Sequence, residues 1–204
     1  MTGLTDRRNM TGVGGASGTA RILPDNVNTD YIISSRRKRD ASGPAELVPF
    51  IFEDLLPPLS HPIQAGDIIV AGWNFGCGSA MEIAAEVLKA AGVKALVARS
   101  VARTFYRNAV NLGLPVLELA EQAPGAGVGT AVTRAAAWCV EGDRLAVAFE
   151  VSTMDRDTPA GVRNVTQGTF VPCLPPSRFA VELVRHGGLI PYYLGVKEIP
   201  RGII

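Results

Sequence analysis

Imidazoles and thiols are scarce in this chain. Its 204 residues include 2 histidines, His61 and His186, and 3 cysteines, Cys77, Cys139 and Cys173. The cysteines are odd in number, widely spaced and without a C-x-x-C pair, which argues against a disulfide framework and fits a reducing cytoplasm. A self-contained zinc site would have to gather carboxylates from scattered positions, so no metal site is expected within the chain. An excess of one charge is also missing: 20 Lys and Arg face 19 Asp and Glu, a net charge of +1. That balance gives no electrostatic reason to expect nucleic acid or a membrane surface as partner. One basic run, "SSRRKRD" from Ser34, has no surrounding aromatic platform of the kind single-stranded nucleic acid stacks on.

Long apolar runs are lacking as well. Nothing approaches the roughly 18 consecutive apolar residues of a membrane-spanning helix. The start, "MTGLTDRRNMTGVGGASGTA", has no apolar signal region and is expected to be a mobile tail over residues 1–17. What is present, 47% hydrophobic and 19% charged residues, suffices for a sizeable core in one domain, expected over residues 18–204. A single-domain cytoplasmic protein is the resulting expectation.

Periodicity then gives a fold class. "TARILPDNVNTDYIISS" opens with a short strand and an Asp25-Asn26 turn, and "RRKRDASGPAEL" reads as an exposed loop leading to a short helix around residues 44–53. From Gly66 to Leu119 the pattern is regular. "DIIVAGW", "VKALVARS" and "LPVLEL" read as buried strands, separated by helices "AMEIAAEVLKAAG" and "VARTFYRNAVNLG" that close at Gly92 and Gly113. Strand, helix, strand, helix, strand predicts right-handed parallel crossovers, with sites beyond the carboxyl ends of the strands. "DRLAVAFEV" and "VTQGTFVPC" predict appended antiparallel strands, and "PPSRFAVELVRHGG" a last helix capped by Ser177 and stopped at Gly187. The fold class is α/β, a mostly parallel central sheet with antiparallel strands added.

The richest stretch is "GWNFGCGSAMEIAAEVLKAAG", residues 72–92, at one such strand end. It is not a dinucleotide fingerprint, because Met81 stands where the third glycine of G-x-G-x-x-G belongs, and it is no P-loop, because Gly-Lys-Ser/Thr is absent. A glycine-rich turn into a helix N-terminus still suits a small anion. Ser79 has three readings: an anion ligand, a catalytic group, or simply the cap of an S-x-x-E box ending at Glu82, worth roughly 1 kcal/mol. Cys77 could be a thiolate at the helix end or an inert turn residue. Arg103 and Arg107, one helical turn apart, could hold an anion together or form a solvated basic stripe.

"NFGCGSAMEIA", followed by "ALVARSVARTFYRNAVNLGLPVLE", resembles the small subunit of isopropylmalate isomerase and, more distantly, the swivelling domain of aconitase, whose usual wording is N-F-G-x-G-S-S-R-E-H. "DNVNTDYII" is similar to the family's D-x-x-T-D-x-I element, and "ELVPFIFEDLLP" and "HGGLIPYYL" resemble its next helix and its chain end, in the same order from residue 18 to 194. The resemblance implies a swivelling β/β/α domain that closes over a large subunit bearing a four-iron four-sulfur cluster, with no cofactor in this chain. It implies a small carboxylate substrate, 3-isopropylmalate or a related substituted malate or maleate, dehydrated and rehydrated by a hydro-lyase of leucine biosynthesis. It places Ser79 as the general base, with Gly78, Ala80, Met81 and Asp30 around the substrate.

The departures are specific. Ala80 replaces the second serine, Met81 the substrate-binding arginine and Ile83 the histidine, as in a divergent paralogue. A thioether cannot make arginine's bidentate carboxylate contact. Either Arg36 or Arg37, from the loop where the family places substrate recognition, supplies that guanidinium, or the substrate presents an apolar group near Met81. Loss of the arginine and histidine would equally suit a non-catalytic module kept for assembly or small-anion binding. Without the large chain, the face that closes on it is free to form homo-oligomers.

Overall fold

The computed structural model describes residues 15–39, 41–55, 59, 61–120, 138–149 and 160–195. Seven strands form one sheet: β1 (Gly15–Ile22), β2 (Asp67–Ala71), β3 (Ala95–Ala98), β4 (Val116–Glu118), β5 (Arg144–Ala148), β6 (Gly161–Asn164) and β7 (Thr169–Pro172). Their order is β4-β3-β2-β1-β5-β6-β7. The β1–β2, β2–β3 and β3–β4 pairs are parallel, while β1–β5, β5–β6 and β6–β7 are antiparallel. The predicted parallel unit and its antiparallel extension thus share one sheet, joined through β1.

Helices cover both faces, which is why "DIIVA" and "ALVA" are buried at every position. Side chains alternate between two cores: Ile69, Leu96 and Val116 pack with Leu88 and Val87 of the Ile83–Ala90 helix, whereas Ile68, Val97 and Leu117 pack with Leu183 of the Arg178–His186 helix. The second crossover is the Arg103–Asn111 helix. The expected ends hold there: Gly113 follows that helix, and Ser177 caps the later one by accepting from Ala180 N, with Gly187 at its carboxyl end.

Several elements differ from expectation. The β1 strand begins at Gly15, inside the segment expected as tail, and residues 1–14 lie outside the described residues, as does "EQAPGAGVGT". The helix expected over 44–53 is one α-turn, Pro44–Leu47, followed by a 3-10 turn, Val48–Phe50, because Pro49 has no N–H with which to continue the α pattern. The basic loop contains a helical turn of its own, Ser35–Lys38. The four-residue β6 and the Leu189–Gly195 helix were not expected; β6 reads as a strand only between its two partners.

A buried polar hub ties β5 to β6. Asn164 donates from Nδ2 to the Trp138 carbonyl at 2.9 Å and to Asp143 Oδ2 at 2.7 Å, and accepts from Gln167 N at 3.0 Å. Among the described residues, no helix is long and apolar enough to cross a membrane.

Candidate functional site

The loop after β2 is built by contacts from three directions. Trp73 N donates to Asp25 Oδ1 at 2.6 Å, Asn74 N to Ser100 Oγ at 2.8 Å, and Gly76 N to the Val27 carbonyl at 2.7 Å. Phe75, fully buried, meets Phe105 edge-on with ring centroids 5.2 Å apart. Gly76 has φ +74°, and a Cβ there would lie 2.3 Å from Phe105 Cγ, so both backbone and space demand glycine.

Beyond this anchor the chain runs beside Asn28 and Thr29 instead of entering a helix. Asn28 and Cys77 form a parallel bridge, and Thr29 N donates to the Cys77 carbonyl at 2.9 Å. The Thr29 hydroxyl then grips both sides of one residue: it accepts from Ser79 N at 3.1 Å and donates to the Ser79 carbonyl at 3.3 Å. This clamp overturns the capping-box reading. The helix starts at Ile83 with Glu82 as its cap residue, and no side chain caps it. Ser79 is therefore an exposed loop residue whose hydroxyl, like the N–H groups of Gly78 and Ala80, has no hydrogen-bond partner among the described residues. The Ala80 carbonyl accepts from Asn108 Nδ2 at 3.3 Å, tying the loop to the Arg103–Asn111 helix.

The basic segment divides its side chains. Arg37 makes a two-pronged pair with Glu53, 2.9 Å to Oε1 and 2.8 Å to Oε2, and its guanidinium lies 3.8 Å over the Phe50 ring. That hydrogen bonding to Arg37 holds the Glu53 carboxyl below the usual carboxylate range. Arg36 reaches Asp54 at 2.7 Å. Both guanidiniums are thus taken up by carboxylates of the next segment, and the cation beside Met81 is Lys38, its Nζ 3.4 Å from Met81 Sδ and 3.5 Å from Asp30 Oδ1. Asp30 accepts from Ser35 Oγ at 2.7 Å; this hydroxyl first, and Lys38 after it, lower its pKa.

Ser79, Met81, Asp30 and Lys38 are therefore brought together around Thr29. Thr29, Lys38 and Asn108 were not singled out from the sequence; only Thr29 carried a signal, as the threonine of "NTD". Arg103 and Arg107 are exposed on the wall of a different cavity, about 560 Å³, between the Arg103–Asn111 and Arg178–His186 helices, with Tyr106 and Glu118. Among the described residues no three His, Cys, Asp or Glu are gathered closely enough to hold a metal ion. Cys139 and Cys173 are buried free thiols, with pKa values pushed up to about 12 by burial, and Cys77 is half-buried.

Comparison with known proteins matches this architecture. The Aconitase C-terminal domain family model matches residues 59–122, the segment that holds the Ser79 loop. The 3-isopropylmalate dehydratase small subunit of Caldanaerobacter subterraneus is 40% identical over 176 residues, spanning 86% of this chain and 95% of that protein. The chain belongs to the 3-isopropylmalate dehydratase small-subunit family. The small subunit of Moorella thermoacetica, 39% identical over 86% of this chain and 92% of its own length, agrees. A crystal structure of 3-isopropylmalate dehydratase from Methanocaldococcus jannaschii superposes with a TM-score of 0.71 at 29% identity, covering 90% of this chain and 95% of that one.

Proposed function

We propose that this chain is the small subunit of a hydro-lyase that works with a large subunit on a 2-hydroxy dicarboxylate of the 3-isopropylmalate type, and that Ser79 is its general base. The observation that carries the reading is the Thr29 clamp. It fixes the Ser79 backbone on both sides while leaving the hydroxyl and the neighbouring Gly78 and Ala80 N–H groups unengaged. A base must be held still and its basic form stabilised by donors, and those N–H groups are placed to serve a serine alkoxide or a substrate carboxylate.

In this reading Ser79 Oγ takes the proton alpha to a carboxylate. The C–H electron pair becomes the second bond of an alkene, and the hydroxyl on the neighbouring carbon departs with the C–O pair as hydroxide and takes one proton from solvent to leave as water, while the abstracted proton stays on Ser79. Re-addition of water with the positions exchanged gives the isomer, and Ser79 returns the proton. The family resemblance puts a four-iron four-sulfur cluster on the large subunit. This chain's share is the proton and the carboxylates. Free thiols suit a reducing, cytoplasmic compartment.

The test is reconstitution with the large subunit, cluster content verified, and turnover of 3-isopropylmalate followed through the absorbance of the alkene. Ser79→Ala is expected to lower kcat by about a hundredfold or more. Unchanged turnover in that variant would remove Ser79 from the chemistry and favour a module retained for assembly.

A further inference from the structure

We infer that Lys38 is the carboxylate-binding cation of the Ser79 site and that Met81 seats the substrate's alkyl group beside it. The inference rests on the Ser79 loop being the substrate site.

The Lys38 side chain is only 10% exposed, and its ammonium has three donors to place. Its neighbours are poor acceptors for them. Met81 Sδ at 3.4 Å is a thioether, and the Asp30 carboxylate stands 3.5 Å away, long for a charge-assisted hydrogen bond, with its own short contact, 2.7 Å, made to Ser35. A buried stem that delivers an under-satisfied ammonium is costly unless a further anion completes it. Arg36 and Arg37 do not compete, each being held by Glu53 or Asp54. The place also fits: Asp30 follows Thr29, which clamps Ser79, and Met81 is two residues beyond Ser79. A carboxylate on Lys38 is therefore held beside the segment that carries Ser79.

Met81 adds the second half of the specificity. It is 40% exposed, and its sulfur lies against the ammonium. Lysine is a point charge without arginine's planar fork, so it holds one carboxylate oxygen without fixing the carboxylate plane. The flexible thioether can close over an alkyl branch next to that carboxylate. An unbranched malate would leave Met81 facing water.

The experiment uses the assembled, cluster-loaded enzyme and a probe that does not turn over, 2-isopropylsuccinate, with succinate as the unbranched control. Calorimetry is expected to show 2-isopropylsuccinate binding about tenfold or more tighter than succinate, a preference that Met81→Ala reduces. Lys38→Met is expected to weaken 2-isopropylsuccinate binding by roughly 30-fold or more and to raise the KM for 3-isopropylmalate in parallel, and Met81→Arg added to it to restore binding. Lys38→Gln keeps length and polarity without charge, and decides the matter if Lys38→Met does not assemble. A neutral Lys38 variant that assembles and binds within twofold of the parent overturns the inference. With Ser79→Ala inactive beside it, the base assignment still stands. Conversely, weakened binding in the Lys38 variants with an active Ser79→Ala sinks the base and leaves Lys38 in place. Equal affinity for the two succinates overturns the role of Met81.

Discussion

Replacing Thr29 by valine removes the clamp on Ser79 with almost no change of shape. Thr29 is 1% exposed, and its hydroxyl makes both contacts to Ser79, at 3.1 and 3.3 Å. Each neutral hydrogen bond nets about 0.5–1.5 kcal/mol, so losing two costs roughly 1–3 kcal/mol. Ser79 is itself exposed, and water can satisfy part of what valine cannot. The expected loss is therefore in the lower half of that range, about 1–2 kcal/mol, measured by urea unfolding of the full chain. Activity should suffer more than stability, because a shift of the order of 1 Å in a reacting group costs about a hundredfold. In the reconstituted enzyme Thr29→Val should lower kcat by roughly ten- to a hundredfold with a smaller change in KM. Thr29→Ser keeps the hydroxyl and loses one methyl, so it separates packing from hydrogen bonding; its kcat should stay near the parent's while its stability falls by about 1 kcal/mol. Thr29→Val with stability within about 0.5 kcal/mol and kcat within twofold of the parent would refute the clamp as the device that positions Ser79.

Other positions give independent checks. Gly76→Ala must place a Cβ 2.3 Å from Phe105 at φ +74°, and should cost about 2–4 kcal/mol by the same unfolding assay; a loss under 1 kcal/mol would contradict the packing of Phe75 and Phe105. Asn164, fully buried and bonded to Trp138, Asp143 and Gln167, should cost roughly 2–4 kcal/mol when truncated to alanine, seen as a lower Tm. At neutral pH the native chain should take up iodoacetamide at Cys77 alone, because buried thiols with pKa values about 12 are thiolate to the order of one part in 10⁵; labelling of Cys139 or Cys173 before unfolding would count against the core. The Asp30 carboxyl is lowered by the Ser35 hydroxyl, so its contribution is full above the ordinary carboxylate pKa of about 3.9 and is lost as pH falls through the folded value. Ser35→Ala should thus reduce stability at pH 7, with the gap to the parent closing in acid, and a gap independent of pH would exclude that linkage.

The parallel half of the fold was legible because its strands are buried on both faces and its second crossover ends at a glycine, both local signals. The site loop misled for an opposite reason. Ser79-Ala80-Met81-Glu82 satisfies the capping-box pattern, yet the Ser79 N–H that Glu82 would accept from in such a box is claimed by Thr29, 50 residues away in sequence. No window around Ser79 contains that competitor. The basic run was read as a loop, with Arg36 or Arg37 as the candidate and Lys38 passed over; in the one-turn helix Ser35–Lys38 successive side chains point in different directions, so the two arginines go to Glu53 and Asp54 and Lys38 to Met81. Four residues carry no periodicity from which to choose among them. The β6 strand, equally short, shows the same limit.

The departures at 80, 81 and 83 acquire a physical meaning from where they sit. Ala80 and Met81 are exposed and Ile83 only half-buried, and the hydrogen bond that residue 80 accepts from Asn108 comes through its backbone carbonyl. What holds the loop in place is elsewhere: Phe75 on Phe105, Gly76 on Val27, and Thr29 on Ser79, all intact. Side chains at 80 and 81 can therefore change with little cost to the fold, whereas Ile83 packs against the core. Under the proposed function, residues that orient Ser79 are thus separable from those assigned to meet the substrate. A change at Met81 should move KM and substrate preference at nearly constant unfolding free energy, whereas a change at Gly76 or Thr29 should move stability and kcat. Equal loss of stability in Met81→Arg and Gly76→Ala would show that the two functions of the loop are not divided in this way.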